Sequence, residues 1–217
     1  MEGIILSRVK IYFKGYTNNN IQSNFDDNLS YLFHQKVNDL FEGTNFENFK
    51  FFTFSEFKLE NGIINFIVSS VNEEFLRKLV SAFVMGEIIF FNNCMLEIYK
   101  VEFLLKPIFN KGKFSFITIS PIFLDNCLIK DNLGDILEDL LINKFCNYYN
   151  LKTCPLYCDF YSRHECYDVY SEDNGMFKDY YYTIDIVMKG SPELIAFAYD
   201  VGLGNKNNYG FGMLDIY

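Results

Sequence analysis

Histidine is the side chain whose chemistry stands out first in this sequence, and it occurs twice, as His34 and His164. Imidazole titrates near neutral pH, so either residue could act as a general acid or a general base. His34 falls in a segment whose apolar residues have helical spacing, and Tyr31 precedes it by three positions. Residues three apart lie on one face of a helix. We therefore expect Tyr31 and His34 to share a face.

A glycine-rich segment, residues 202–212, holds four glycines in eleven residues, together with Lys206 and three asparagines. Glycine is costly unless the backbone needs positive φ or a close approach. Such a loop can present backbone N–H groups to a phosphate, and Lys206 adds a cation. The segment follows a predicted helix and opens a strand, unlike a dinucleotide-binding fingerprint, and it lacks the Gly-Lys-Ser/Thr of a P-loop. The structural alternative is that Gly202 caps the helix before a turn into an edge strand.

Thiol and imidazole groups cluster at Cys154, Cys158, His164 and Cys166, and such ligands suit zinc. Their spacing, Cys-x3-Cys followed by His-x-Cys, matches zinc-finger spacings poorly. In an intracellular chain of this length, the six cysteines are expected to be free thiols. We predict packed thiols, an ordinary histidine and no metal, and a zinc site is the alternative.

The composition predicts a folded chain whose net charge does not favour binding to nucleic acid. Of the 217 residues, 50% are hydrophobic, and 28 acidic against 19 basic side chains give a net charge of −9. A global basic surface, the usual footprint of nucleic-acid binding, is absent, although a local basic cleft is compatible with this charge. No apolar run approaches the roughly 18–20 residues that span a bilayer, and the first residues do not resemble a signal peptide. We therefore expect a cytoplasmic protein with no membrane segment.

The elements that must position these residues follow the same order in both halves of the chain. The first half predicts strand, helix, two strands, helix and strand, at residues 7–14, 23–41, 49–57, 63–69, 72–85 and 95–105. The second half repeats this order at residues 114–119, 132–149, 156–170, 180–188, 191–202 and 211–216. Ser191 and Pro192 open its last helix, as N-cap and first helical residue.

This β-α-β-β-α-β order is that of the split βαβ, ferredoxin-like unit. We predict an α+β fold of two tandem ferredoxin-like units, RRM-like, with the glycine-rich loop near the end of the second. The first domain is expected at residues 1–106 and the second at residues 113–217. The segment that joins them contains Pro107 and Gly112.

The glycine-rich segment and the helix before it, residues 191–213, resemble a known signature. They are similar to the C-terminal glycine-rich signature of the CRISPR-associated repeat-processing endoribonucleases, the Cas "six" family of the repeat-associated mysterious protein superfamily. Other parts of the chain look like their counterparts in that family: the Ser120-Pro121 strand exit, the helix from about residue 132, the aromatic strand at Phe51–Ser55 and the duplicated order of elements. The resemblance covers nearly the whole chain, and the glycine-rich loop is its most specific part.

The resemblance implies an activity and its partners. Members of the family bind the repeat of a CRISPR precursor transcript and cut it once, without a metal or another cofactor. The ribose 2′-hydroxyl attacks the scissile phosphate and leaves a 2′,3′-cyclic phosphate and a 5′-hydroxyl. This step needs a base, an acid and a cation or donor for the developing charge. The implied partners are CRISPR repeat RNA, other proteins of a CRISPR effector complex and, in a possible homodimer, a second copy.

The resemblance also implies roles for individual residues. His34 is the candidate catalytic acid or base, with Tyr31 as its helper and Lys14 as a candidate cation. Many members place the histidine just after this helix, where residues 40–45 contain none. Three alternatives therefore stay open: His34 has taken the role, the protein cuts without a histidine, or it binds the repeat without cutting. A ferredoxin-like protein-interaction domain that binds no RNA is a further alternative.

RNA contacts are expected from the glycine-rich loop and from cations elsewhere in the second half. Bases of single-stranded RNA stack on aromatic rings, and phosphates meet Lys or Arg. The candidates in the loop are Gly202, Gly204, Asn205, Lys206, Asn207, Gly210 and Gly212. The candidates outside it are Lys144, Arg163 and Lys189, for which a merely solvated surface cation is the alternative.

Overall fold

A computed structural model describes residues 6–16, 25–41, 50–85, 89–91, 94–124, 133–168 and 180–217 of the chain. Within these ranges the chain forms two antiparallel sheets and four α-helices. Each sheet carries two of the helices and a separate apolar core. The predicted α+β fold with two ferredoxin-like units is confirmed.

The first sheet is built from the first half of the chain. Its strands are β1 (Leu6–Tyr16), β2 (Phe52–Phe54), β3 (Lys58–Glu60), β4 (Ile63–Ser70), β5 (Ile89–Phe91) and β6 (Cys94–Leu105). Their order is β2-β4-β1-β6-β5, and β3 also pairs with β4. Helices α1 (Phe25–Phe41) and α2 (Glu73–Val84) contribute to the same core. The ring of Phe33, on α1, lies 4.7 Å from that of Phe54 and 5.0 Å from that of Phe66, so aromatic packing holds α1 on the sheet.

The second sheet is built from the second half in the same way. Its strands are β7 (Lys113–Thr118), β8 (Ile122–Leu124), β9 (Cys158–Asp168), β10 (Tyr180–Gly190) and β11 (Leu214–Ile216). Their order is β11-β7-β10-β8, and β9 also pairs with β10. Helices α3 (Leu133–Tyr149) and α4 (Pro192–Val201) bury their apolar faces in its core. The glycine-rich loop connects α4 to β11.

The structure differs locally from the sequence predictions in two respects. The aromatic segment 49–57 is not one strand, because Phe51 turns into the core of the second unit, where its ring lies 5.4 Å from that of Tyr148. The sequence patterns also do not predict the short strands β3, β5 and β8. Ser191 stands at the N-cap of α4 and Pro192 opens the helix, as predicted, while the Ser191 hydroxyl accepts a hydrogen bond from the Tyr157 N–H at 3.3 Å rather than from a helical N–H.

Arg8 joins the two units through a buried guanidinium on β1. Its Nη2 donates to the carbonyl oxygens of Tyr199, at 2.7 Å, and Leu214, at 2.5 Å. Its guanidinium carbon lies 3.3 Å from the centre of the Tyr199 ring. Nearby, Lys106 donates to the buried carboxylate of Asp200. Arg8 therefore attaches β1 to α4, and Lys106 attaches the segment after the first unit to the same helix.

The described helices are all too short or too polar to cross a bilayer.

Candidate functional site

The side chain of Asn207 holds the glycine-rich loop in shape from inside. Its Nδ2 donates to the carbonyl oxygens of Leu203, at 2.8 Å, and Phe211, at 2.9 Å. Its Oδ1 accepts from Lys144 on α3, and Nζ of Lys144 also lies 3.3 Å from the carbonyl oxygen of Gly202. Three segments of the loop and one helix therefore meet at one buried amide.

Many of the loop's backbone N–H groups are used within the protein. Six of these N–H groups donate to backbone carbonyl oxygens. The donors belong to Gly202, Leu203, Asn205, Tyr209, Gly210 and Gly212. Two of the acceptors, Pro121 and Phe123, belong to the segment around β8. The ammonium of Lys206 lies 3.9 Å from the centre of the Phe123 ring. The bonds to Pro121 and Phe123 attach the loop to the second sheet, and the others shape the loop and its junction with α4. Fewer backbone N–H groups therefore remain for a ligand than the sequence suggests.

The far side of the loop lies against the first unit. Gly210 has a φ of +95°, and a Cβ at this position would lie 2.6 Å from the ring of Phe54. The hydroxyl of Thr53 donates to the carbonyl oxygen of Phe211 at 2.8 Å. Glycine at position 210 therefore lets the loop approach β2 closely. This approach brings the single turn at Asn207–Tyr209 onto α1.

His34 lies where α1 and this turn meet. The ring of Tyr209 stacks on the imidazole, with centres 3.8 Å apart and planes 15° from parallel. Nδ2 of Asn208 lies 3.3 Å from Nε2 of His34. Nδ2 of Asn38, one turn further along α1, lies 3.2 Å from Nδ1 and 3.5 Å from Nε2. The imidazole is thus in contact with three side chains, two of them from the other unit.

The two Asn38 distances place that amide over a face of the imidazole. An atom so close to both ring nitrogens cannot lie in the ring plane, because it would collide with the carbon between them. Tyr209 covers one face, so Asn38 covers the other, and Asn208 reaches the Nε2 edge. His34 is 7% exposed, and its burial lowers the pKa of the imidazole. This burial favours the neutral ring, which is the form that a general base requires.

The other candidate for catalysis, Tyr31, lies apart from these contacts. Its side chain is 58% exposed, and its hydroxyl accepts a hydrogen bond from Nε2 of Gln35 at 2.7 Å. The aromatic ring on His34 is that of Tyr209 instead. Helical spacing relates residues of one helix only, so it could not identify a partner from another element. In the sequence, Asn208 and Tyr209 stand out only as members of the glycine-rich loop.

The remaining cations lie in different surroundings. Lys189 is exposed on β10, between Lys113 of β7 and Asp159 of β9. Arg163 lies on β9, and its side chain is outside the described part of the chain. Lys144 is desolvated beneath the loop, and this burial lowers the pKa of its ammonium to about 7.

The proposed metal ligands are only partly described, since the side chains of His164 and Cys166 fall outside the described residues. Cys158 is fully buried, and burial raises the pKa of its thiol to about 12. A thiolate ligand needs the opposite shift. No group of three or more metal-binding side chains occurs among the described residues.

A family model and a curated relative match this chain. The model, described as CRISPR associated protein Cas6, C-terminal, matches residues 104–216. The relative, from Methanocaldococcus jannaschii, is named CRISPR-associated endoribonuclease Cas6 1. It is 30% identical to this chain over an alignment that covers 78% of this chain and 75% of that protein.

Solved structures share the whole fold. One described as CRISPR associated protein Cas6 has a TM-score of 0.78 at 21% identity and covers 97% of this chain and 99% of its own. A Cas6-related protein from Pyrococcus furiosus has a TM-score of 0.77 at 17% identity and covers 98% of each chain. A third, described as an RAMP protein binding different RNA substrates, has a TM-score of 0.76 at 17% identity and covers 97% of this chain and 99% of that one. At these identities the likeness concerns the fold.

Proposed function

The chain belongs to the Cas6 family of CRISPR-associated proteins, and from this premise we propose that it is a metal-independent endoribonuclease that cleaves CRISPR repeat RNA. The curated relative named as a CRISPR-associated endoribonuclease supports the activity. The products we propose are a 2′,3′-cyclic phosphate and a 5′-hydroxyl. The partners we propose are the repeat RNA and, in the cell, other proteins of a CRISPR effector complex or a second copy of the chain.

The observation that supports this function most is the position of the His34 imidazole at the contact between the two units, where burial lowers its pKa. In the proposed step, Nε2 of His34 takes the proton of the 2′-hydroxyl, whose oxygen then bonds to the phosphorus. The bond from phosphorus to the 5′-oxygen breaks, and this oxygen takes a proton from an acid. Tyr31, exposed one turn earlier on α1, is the candidate acid, and Lys206 or Lys14 is the candidate cation for the phosphorane.

The proposed path of the RNA runs over the glycine-rich loop. In this proposal Asn205, Lys206 and Gly210 face the RNA, whereas the buried residues Gly202, Gly204, Asn207 and Gly212 set the shape of the loop. Lys189 and Arg163 would meet phosphates further along the second sheet. Lys144 would act on the RNA through the loop, since its ammonium is bonded to Asn207.

A second candidate function is repeat-RNA binding without cleavage. Two observations favour it: His34 is 7% exposed, and Nε2, the nitrogen we assign as the base, already faces the amide of Asn208. A substrate must displace that amide before the imidazole can reach a 2′-hydroxyl.

Cleavage of end-labelled repeat RNA from the host's own array, in EDTA, separates these functions. We expect one cut by the wild-type protein and by His164→Ala, and no cut by His34→Ala, which should still retain the RNA in a gel-shift assay. A repeat with 2′-deoxyribose at the cleaved position should be bound and not cut. A cut that survives His34→Ala would refute the assignment of the base, and a cut of the deoxy substrate would refute the 2′-hydroxyl mechanism. Binding without a cut by any variant would establish the second function.

A further inference from the structure

The imidazole of His34 is oriented by side chains from both units, and two of them come from the glycine-rich loop. Asn38 belongs to the same helix as His34, but Asn208 lies 174 residues away in the chain, and Tyr209 follows it. The side chain of Asn207 makes hydrogen bonds within the loop, whereas the side chains of Asn208 and Tyr209 contact His34. Asn208 and Tyr209 are directed at His34 instead.

We infer that Asn208 and Tyr209 are positioning residues: the Asn208 amide keeps Nε2 of His34 as the unprotonated nitrogen, and the Tyr209 ring fixes the plane of the imidazole. This inference rests on the proposed function, in which Nε2 is the base. A neutral imidazole carries one N–H and one acceptor nitrogen, and its partners decide which is which. An amide N–H directed at Nε2 favours the tautomer with the proton on Nδ1.

The Asn208 amide also occupies the place of the substrate group. A 2′-hydroxyl that gives its proton to Nε2 must approach as a donor, within hydrogen-bond distance of that nitrogen. The Nδ2 group of Asn208 is a donor at 3.3 Å from it. The hydroxyl can therefore replace the amide without a change of tautomer, while the Tyr209 ring, stacked at 3.8 Å, keeps the plane of the imidazole.

Among the described residues, the side chains shown in contact with the imidazole are Asn38, Asn208 and Tyr209. Of the described residues, Tyr209 is the titratable one in contact with the imidazole. Lys36 and Asp39 point about 200° and 140° away from His34 around α1. The Lys206 ammonium faces the Phe123 ring, and β2 has no titratable side chain. The charged side chains of α2 pair with one another, Arg77 with Glu73 and Lys78 with Glu74.

The test uses nuclear magnetic resonance of the full chain, in which His34 is one of two histidines and His164→Asn assigns its signals. In the wild-type protein, the imidazole ¹⁵N shifts should show Nε2 unprotonated. Asn208→Ala should give a mixture of tautomers, and Asn208→Asp should place the proton on Nε2. The carboxylate should also raise the pKa of His34 by about 1–3 units, because an opposite charge at this distance favours the imidazolium.

Matched variants separate positioning from a general disturbance. Asn150→Asp makes the same charge change on an exposed residue at the end of α3 and should leave the His34 signals unchanged. Tyr209→Phe keeps the stacked ring and should behave as the wild type, whereas Tyr209→Leu should not. Cleavage by Tyr209→Leu should fall about 10–100-fold with RNA binding retained, as expected for a misplaced catalytic group. Cleavage by Asn208→Ala should fall only in proportion to the share of His34 in the wrong tautomer.

The two readouts have distinct meanings. Identical tautomer and pKa of His34 in the wild-type protein, Asn208→Ala and Asn208→Asp would overturn the inference, whatever the cleavage rates. Altered His34 signals in variants of a wild-type protein that cuts no RNA would support the positioning role and refute the proposed function. Altered signals together with slower cleavage would support both.

Discussion

Arg8 connects the two units with one buried side chain, and we expect Arg8→Met to lower the free energy of unfolding by about 2–5 kcal/mol. The guanidinium donates to the carbonyl oxygens of Tyr199 and Leu214 and to Oγ of Ser69, and it stacks on the Tyr199 ring. Methionine has a similar length and fills the space, but it can make none of these polar contacts. The two carbonyl oxygens would lose their charged partner.

The expected loss in the free energy of unfolding is the contribution of these contacts minus the cost of burying the charged guanidinium. Hydrogen bonds from a charged donor contribute about 1.5–3 kcal/mol each, and a desolvated cation over an aromatic ring contributes about 2 kcal/mol. The two carbonyl bonds and the stacking are thus worth about 5–8 kcal/mol. Burial lowers the pKa of Arg8 to about 10, and this shift corresponds to roughly 3 kcal/mol against the charged form. Asp215, at 3.6 Å and 46% exposed, adds little.

Urea unfolding at neutral pH, followed by circular dichroism, measures this difference. The matched control is Arg77→Met, since Arg77 is 66% exposed and bonded to Glu73 one turn away. The control should change the free energy of unfolding by less than about 0.5 kcal/mol. If Arg8→Met is no less stable than Arg77→Met, the cost of desolvating Arg8 equals the free energy of its contacts. That result would refute the claim that Arg8 stabilises the junction between the two units.

Three further substitutions test the loop and the capping of α2. Gly210→Ala places a methyl group against the Phe54 ring and should lower the free energy of unfolding in urea by about 2–4 kcal/mol. The control Gly62→Ala has open space at its Cβ and should cost about 1 kcal/mol. Equal costs would argue against the close approach of Gly210 to Phe54. Because the folded pKa of Lys144 is lowered to about 7, the unfolded chain binds the extra proton, and stability should rise from about pH 7 to about pH 9 by at most about 1.4 kcal/mol per unit. This rise should be smaller in Lys144→Met, and the same pH dependence in both proteins would contradict a buried ammonium. Asn72→Ala removes the acceptor of the Phe75 N–H and should lower the free energy of unfolding by about 0.5–2 kcal/mol, with no change expected if water replaces the cap.

The elements could be predicted from the sequence wherever one face of an element is buried. The helix expected at residues 132–149 is α3, Leu133–Tyr149, because its apolar residues keep one spacing over its whole length. The prediction of one strand at residues 49–57 was wrong because this segment does not bury one face in one core. Its aromatic residues are divided between two cores, Phe51 in the second and Phe52 and Phe54 in the first, and a spacing rule assumes one core.

The candidate site could be predicted only in part. The types of its side chains drew attention to His34 and to the glycine-rich loop, but no rule of spacing connects them across 174 residues. Their contact depends on glycine at position 210, because the Phe54 ring of β2 occupies the space that a Cβ would need there. Tyr31 was the expected partner because local spacing reveals neighbours on the same helix, and a contact between units leaves no such pattern.

The positions of Arg8's two carbonyl partners connect the stability of the junction with the geometry of the site. Tyr199 lies just before the glycine-rich loop, and Leu214 lies just after it. One guanidinium on β1 therefore holds both ends of the loop to the first unit, and the Gly210 approach to Phe54 holds its middle. Since His34 belongs to the first unit and Asn208 to the loop, their 3.3 Å contact is set by these attachments rather than by either core alone. A contact of this kind tolerates changes within each core as long as β1, β2 and the loop keep their distances.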